Sequence, residues 1–206
     1  MAGLTLAMPL VCHADYPAIW WAPIPKSEAK SWEILPQEAA PGEVILSKRN
    51  ELGILSNFAA TPFIYHGKKY ASVEGFWQMT KYPEGPEDPR SHGVSWPHTR
   101  EQVGQMVSFE AKKAGDEAED LMKKLKVDWV TFENKRMIYR EQKKGDFYNL
   151  IHAVMWEKLQ QNPRVKETLL KTGNLILKPD HHQEPDAPPA WHYYQIYMEF
   201  REKLKN

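Results

Sequence analysis

The chain has 206 residues, with 27 basic and 27 acidic side chains and therefore no net charge. That balance argues against a dedicated nucleic-acid binder, whose footprint is a basic excess, and the length suits one domain. Cys12 is the only cysteine, which leaves no intrachain disulfide, and no apolar run reaches the roughly 18 residues of a membrane helix, so no membrane partner is expected.

Residues 1–42 read as an N-terminal extension and residues 43–206 as the domain. Leu4 to Val11 is apolar, and Cys12-His13-Ala14 resembles a cleavage site, so residues 1–14 form a weak signal-like start. A basic segment ahead of the apolar core is missing. A cytoplasmic location is therefore the expectation, with export as the alternative. Tyr16 to Pro41 is rich in Pro and Trp, including Trp20, Trp21 and Trp32. It reads as an extended arm over the domain surface, with its Trp residues used in packing.

Glu43 to Ser47 is a strand candidate, followed by Lys48, Arg49 and Asn50 in a turn. Basic residues after a strand are natural anion contacts, and a solvated turn is the plain alternative. Leu55-Ser56-Asn57-Phe58 puts a polar step inside an apolar run. Pro62 to Tyr70 spells a hairpin turning at His66-Gly67-Lys68. Ser72 is placed to cap the next helix. Val73, Phe76, Trp77 and Thr80 recur at helical spacing and form a buried stripe, with Glu74, Gln78 and Lys81 on the stripe beside it. Apolar surface next to Glu74 raises its pKa and the helix dipole lowers it. A first-turn Glu is also an ordinary dipole-matching residue. Gly75 in the same turn costs about 1 kcal/mol relative to Ala, which points to a close approach by backbone or ligand.

Tyr82 to His98 is a Pro- and Gly-rich loop whose His92 and His98 have no partner at metal-ligand spacing. Thr99 and Gln102 form a capping box. Val103, Met106, Val107, Ala111 and Ala114 supply the apolar face of a helix that Gly115 is expected to stop, with a second helix from Glu117 to Lys126. Asp128-Trp129 opens the next segment, and Lys143 to Asn149 reads as an insertion before the helix of Leu150 to Leu159. Asn162-Pro163 marks a helix start, Thr172-Gly173-Asn174 its end, and Leu175 to Leu177 a short strand. Tyr193, Ile196, Tyr197, Phe200 and Leu204 give the last helix a buried face.

The stretch Ile45-Leu46-Ser47, Ser56-Asn57-Phe58, Pro62-Phe63, Gly67, Tyr70, Ser72, Glu74, Gln78 and Lys81 resembles the NADAR family of YbiA-like proteins. Leu169-Leu170-Lys171-Thr172-Gly173 and Met198-Glu199-x-Arg201-Glu202 match the same pattern further on. The chain departs from it in two places. The family has adjacent Ser-Glu followed by His, where this chain has Ser72-Val73-Glu74-Gly75-Phe76. The family's Asp-x-x-Trp-Gly is present only in kind, as Asp186 with Trp191 or as Asp180 with His181.

The resemblance implies an α+β fold, mainly helical, with a small antiparallel sheet at one side of a pocket. It implies a hydrolase, an N-glycosidase that acts on an N-ribosyl phosphate or an ADP-ribosyl group. The substrate classes are riboflavin-pathway phosphoribosylaminopyrimidines and ADP-ribosylated guanine, the latter also on nucleic acid. A carboxylate can stabilise an oxocarbenium-like centre and deprotonate the attacking water. Glu74 takes that role, with Asp186 or Asp180 assisting. Ser56, Asn57, Phe58, Trp77, Gln78 and His181 are substrate contacts, Trp129 and Trp191 stack a flat base, and Lys81 and Arg49 meet phosphate. No metal or other cofactor is called for. The competing reading is a non-catalytic module that binds ADP-ribose or a related nucleotide.

Overall fold

The computed structural model describes residues 16–205, so the signal-like start and Cys12 lie outside the described residues. Residues 16–42 form three short 3-10 turns, Ala18–Trp21, Lys26–Glu28 and Pro36–Glu38. Proline precedes the first two and opens the third, where its fixed φ suits such turns and its missing N–H is not needed. Trp20 is fully buried and its Nε1 donates to Glu51 Oε1 at 2.9 Å, while Trp21 Nε1 donates to the Glu43 carbonyl at 3.0 Å.

The fold is α+β and mainly helical, and its β structure comes in three two-stranded pieces. β1 (Glu43–Ile45) pairs in parallel with β6 (Ile176–Lys178), with Val44 opposite Leu177. This pair differs from the expected antiparallel arrangement, because the two strands are joined by most of the domain and not by a turn. The other two pieces are antiparallel hairpins. β2 (Phe63–Tyr65) and β3 (Lys68–Tyr70) turn at His66 and Gly67, with φ of 47° and 77°. β4 (Trp129–Phe132) and β5 (Lys135–Ile138) turn at Glu133 and Asn134, with φ of 50° and 63°. Two consecutive left-handed residues are what a tight two-residue hairpin requires.

α1 (Val73–Met79) is the central element, and every one of its residues is buried. Ser72 caps it by accepting from the Gly75 N–H at 2.8 Å and donates its own hydroxyl to the Met106 carbonyl at 2.8 Å. α1 packs against α2 (Arg100–Gly104), α3 (Ser108–Leu125) and α4 (Asp146–Gln161). Gly75 makes the α2 contact possible, since a Cβ there would lie 2.4 Å from the Met106 carbonyl and 2.9 Å from that of Val103. The close approach expected at Gly75 is thus one of backbone.

The helix break expected at Gly115 falls instead at Gln105–Val107. There the carbonyls of Gly104 and Met106 accept from Ala71 N and Ser72 Oγ, and Ser108 N donates to the Phe58 carbonyl. α3 then runs straight through Gly115 and stops at Lys126, which takes φ 56°. The segment Lys143 to Asn149 runs into the helix rather than ending before it: α4 begins at Asp146, and Phe147 packs on Trp77 at 5.0 Å. α5 (Pro163–Lys171) starts at its proline, but Asn162 donates to the Lys158 and Pro62 carbonyls and leaves the helix without a side-chain cap. α6 (Tyr193–Lys205) buries Tyr193, Ile196, Tyr197 and Phe200 as its spacing predicts.

Candidate functional site

Glu74 sits in the first turn of α1 and is 6% exposed. Its backbone N–H donates to the Asn57 carbonyl at 2.9 Å, which ties the helix start to the Ser56-Asn57-Phe58 turn. One turn later, Gln78 Nε2 donates to Glu74 Oε1 at 2.7 Å. Burial pushes the Glu74 carboxyl up, and the Gln78 hydrogen bond and the charges of Lys81, Lys112 and Lys48 pull it part of the way back. Its proton is thus held more tightly than that of an ordinary glutamate. Asn57 Oδ1 and Gln78 Oε1 are buried without a hydrogen-bond partner in the protein, an arrangement that a water, an ion, a catalytic role or local strain accounts for.

Lys81, 3% exposed, donates to Glu119 Oε1 at 2.6 Å and lies 5.4 Å from the centre of the Tyr139 ring. Burial lowers its pKa despite the Glu119 carboxylate. Gln78 reaches its position because Gly115 has no side chain, since a Cβ there would stand 1.8 Å from Gln78 Oε1.

Two aromatic groups adjoin these residues in the chain, one starting at Phe58 after Asn57 and the other at Trp77 before Gln78. The first is built on Phe58, whose ring meets Phe109 edge-on at 5.2 Å, and Phe109 lies 5.8 Å from Trp32. Lys48 Nζ stands 5.4 Å from the Trp32 ring and 5.1 Å from the Phe58 ring. It donates to both Asp180 oxygens at 2.7 Å. Burial raises the Asp180 carboxyl, but the hydrogen bond from His181 and the Lys48 ammonium outweigh it and leave its pKa below the ordinary range. A cavity of about 360 Å³ opens here, lined by Lys48, Gly53, Ser56, Phe58, Ser108 and Arg164 among others. The second comes from Trp77, Trp191 and Tyr139. Trp77 and Trp191 meet edge-on at 6.4 Å, and the Arg140 guanidinium lies 5.1 Å from Trp191 and 5.4 Å from Tyr139. Trp191 Nε1 is buried without a partner in the protein.

The Ser56-Asn57-Phe58 turn has a further support below it. Lys158 is fully buried and donates to the Ser56 carbonyl at 2.7 Å. Burial lowers its pKa to about 7.

Of the residues singled out in the sequence, Ser56, Asn57, Phe58, Glu74, Trp77, Gln78, Lys81, Asp180, His181 and Trp191 belong to this neighbourhood. Three stand apart. Arg49 is spent on the arm: Nε and Nη2 donate to Glu33 at 2.5 and 2.7 Å, and Nη2 also reaches the Glu28 carbonyl. Trp129 lines a separate cavity of about 430 Å³ with Glu84, Asp88, Asn134 and Arg136, and it lies under the guanidiniums of Arg90 (4.7 Å) and Arg136 (4.2 Å). Asp186 is exposed in the loop before Ala187, whereas Asp180 is 1% exposed and paired. The sequence reading passed over Phe109, Lys112, Tyr139 and Arg140 and assigned Trp32 to packing of the arm. None sits at a spacing tied to Glu74, and only the path of the chain brings them there. No group of three or more metal-binding side chains occurs among the described residues.

No protein-family model matches the chain, and no curated protein matches it. Among solved structures, it is similar to the NMR structure of the E. coli protein YbiA, with 20% identity and a TM-score of 0.45 over 77% of this chain and 82% of that one.

Proposed function

We propose that the chain is an N-glycosidase that cleaves the bond between a ribosyl C1 and the nitrogen of a flat base, on a phosphoribosyl or ADP-ribosyl substrate. The observation that carries this reading is the burial of Glu74 next to the Ser56-Asn57-Phe58 turn, where the Asn57 amide oxygen is buried without a partner in the protein and the charges of Lys81, Lys112 and Lys48 act on the carboxylate. The resemblance of residues 45–81 to the NADAR pattern supports the same reading.

In the proposed reaction the C1–N bond breaks and its electron pair leaves with the base. Positive charge develops on C1 and the ring oxygen. Ionised Glu74 lowers the energy of that charge from a site shielded from water, where electrostatic effects are strong. A water then adds to C1 and gives its proton to Glu74, and the base nitrogen gains a proton from solvent. Trp77 and Trp191 hold the departing base by stacking. The Asn57 amide bonds a sugar hydroxyl, Gln78 holds Glu74 in place, and the cations of Lys48 and Arg140 offer phosphate contacts. Asp180 keeps Lys48 in place and takes the supporting role left open between Asp180 and Asp186.

The test is turnover of a phosphoribosylaminopyrimidine and of an ADP-ribosylated guanine nucleoside by the intact chain and by Glu74→Gln. Mass-resolved chromatography would detect the free base. Release by the wild type, lost by at least about 100-fold in the variant, is the expected result. The second reading, a non-catalytic nucleotide-binding module, is favoured by the near-complete covering of the Glu74 carboxylate by its own helix partners. It would be upheld by ADP-ribose binding that survives Glu74→Gln with no turnover of either substrate.

A further inference from the structure

Lys158 stands where the helical pattern calls for an apolar side chain. Phe147, Ile151, Val154 and Lys158 recur at helical spacing on α4, and none is more than 1% exposed. The last of them puts an ammonium group in the core. Burial alone accounts for its lowered pKa, and no carboxylate pairs with it among the described residues. Among those residues its one hydrogen bond goes to the Ser56 carbonyl at 2.7 Å, and the Tyr197 ring of α6 has its centre 5.9 Å away. The fold has no need of this arrangement. An unpaired buried charge costs stability, and an apolar side chain of similar length carries no such cost. The Ser56 carbonyl does not depend on the lysine either, since it also accepts from Ala59 N at 3.2 Å.

The ammonium reaches the turn that meets Glu74. The Ser56 and Asn57 carbonyls are successive in the chain. The first accepts from Lys158 on α4, and the second accepts from the Glu74 N–H on α1 at 2.9 Å. The two backbone torsions of Asn57 lie between those anchors. With both peptide planes held, the direction in which the Asn57 side chain leaves the backbone is held as well. That side chain carries the buried Oδ1 that has no partner in the protein. A hydrogen bond from a charged donor is about twice as strong as a neutral one, which suits a turn that belongs to no helix or strand.

We infer that Lys158 is a positioning residue of the candidate site: its hydrogen bond to the Ser56 carbonyl aims the Asn57 amide, beside Glu74, at a ribosyl ligand, and the chain gives up stability for that placement. This rests on the reading of the Glu74 site as a ribosyl-binding site. The test compares the full chain with Lys158→Met, which has a similar shape and neither charge nor donor, at pH 6, where the ammonium is present. Three quantities are measured: the midpoint of a urea melt, the exchange rate of the Glu74 amide by NMR, and the affinity for ribose 5-phosphate by calorimetry. Replacing a lysine that merely supports the fold would lower the midpoint. For a positioning lysine the midpoint rises, yet the Glu74 amide exchanges at least about 5-fold faster and ribose 5-phosphate binds about 10-fold more weakly. In an Asn57→Ala background the same substitution should change the affinity by less than about 2-fold, because the side chain being aimed is gone. A lower midpoint, an unchanged Glu74 exchange rate or an unchanged affinity would overturn the inference. So would an affinity loss that is undiminished in the Asn57→Ala background. If the wild type binds no ribose 5-phosphate, the ribosyl reading of the site fails, while the midpoint and the Glu74 exchange rate still decide whether Lys158 holds the turn at the expense of stability.

Discussion

Gly115 gives a sharp test of how α1 and α3 build the site. In an ordinary exposed helix, Gly→Ala at a middle position stabilises by about 1 kcal/mol. Here the added Cβ would stand 1.8 Å from Gln78 Oε1, 2.2 Å from Cδ and 2.8 Å from Cγ. Gln78 is 5% exposed, so it cannot swing clear without leaving Glu74 Oε1. Losing a hydrogen bond to a charged group costs about 1.5–3 kcal/mol, and overpacking adds about 1–3 kcal/mol. After the helix gain is subtracted, Gly115→Ala should therefore destabilise by about 1.5–5 kcal/mol, lowering Tm by roughly 3–20 °C in a chain of this size. Gln78→Ala removes the obstacle. The double variant should be at least as stable as Gln78→Ala alone, giving a coupling energy above about 1 kcal/mol in a denaturant-melt cycle. Costs that add to within about 0.5 kcal/mol, or a Gly115→Ala protein as stable as the wild type, would refute the packing described for this pair.

Two further predictions concern buried lysines. Lys158 has a folded pKa near 7 against an ordinary 10.5, so between those values the unfolded chain binds more protons and stability rises with pH, by up to about 1.4 kcal/mol per unit from this group. Below about pH 7 both states are protonated and the full cost of the buried charge is present. Urea melts at pH 7 and pH 9 should show a larger gain for the wild type than for Lys158→Met, and parallel gains would contradict the burial argument. Lys81 acts on Glu74 in the opposite sense: burial raises the Glu74 carboxyl, and Gln78 and then Lys81 lower it. The acid limb of kcat/KM should therefore lie above the usual glutamate range and move to higher pH in Lys81→Met. An unmoved limb would show that Glu74 is not the group that must ionise.

The antiparallel hairpins differ in how plainly they are written. Gly67 marks the first turn directly, whereas Glu133 and Asn134 make the same left-handed turn without a glycine to signal it. Gly115 misleads in the opposite way. Read along the chain it is a helix stop, and in space it is a notch for Gln78. Arg49 and Trp129 have the right chemistry for phosphate and base, but Glu33 and the two arginines have already engaged them.

The sequence by itself determined the features whose partners lie within a turn or two: the Ser72 cap, the capping box of Thr99 and Gln102, the hairpin at Gly67, and the alignment of Glu74 and Gln78 on one line of a short helix, with Lys81 in the turn just past its end. Those follow from the 3.6-residue period and from local hydrogen bonding. Only the tertiary structure decided that β1 pairs with β6, that Asp180 rather than Asp186 is the buried acid beside Lys48, and that Trp32 from the arm faces Phe109. Such partners are 77 to 133 positions apart, and at that range side-chain spacing carries no information. Where the chain returns is settled by which buried surfaces can be covered together.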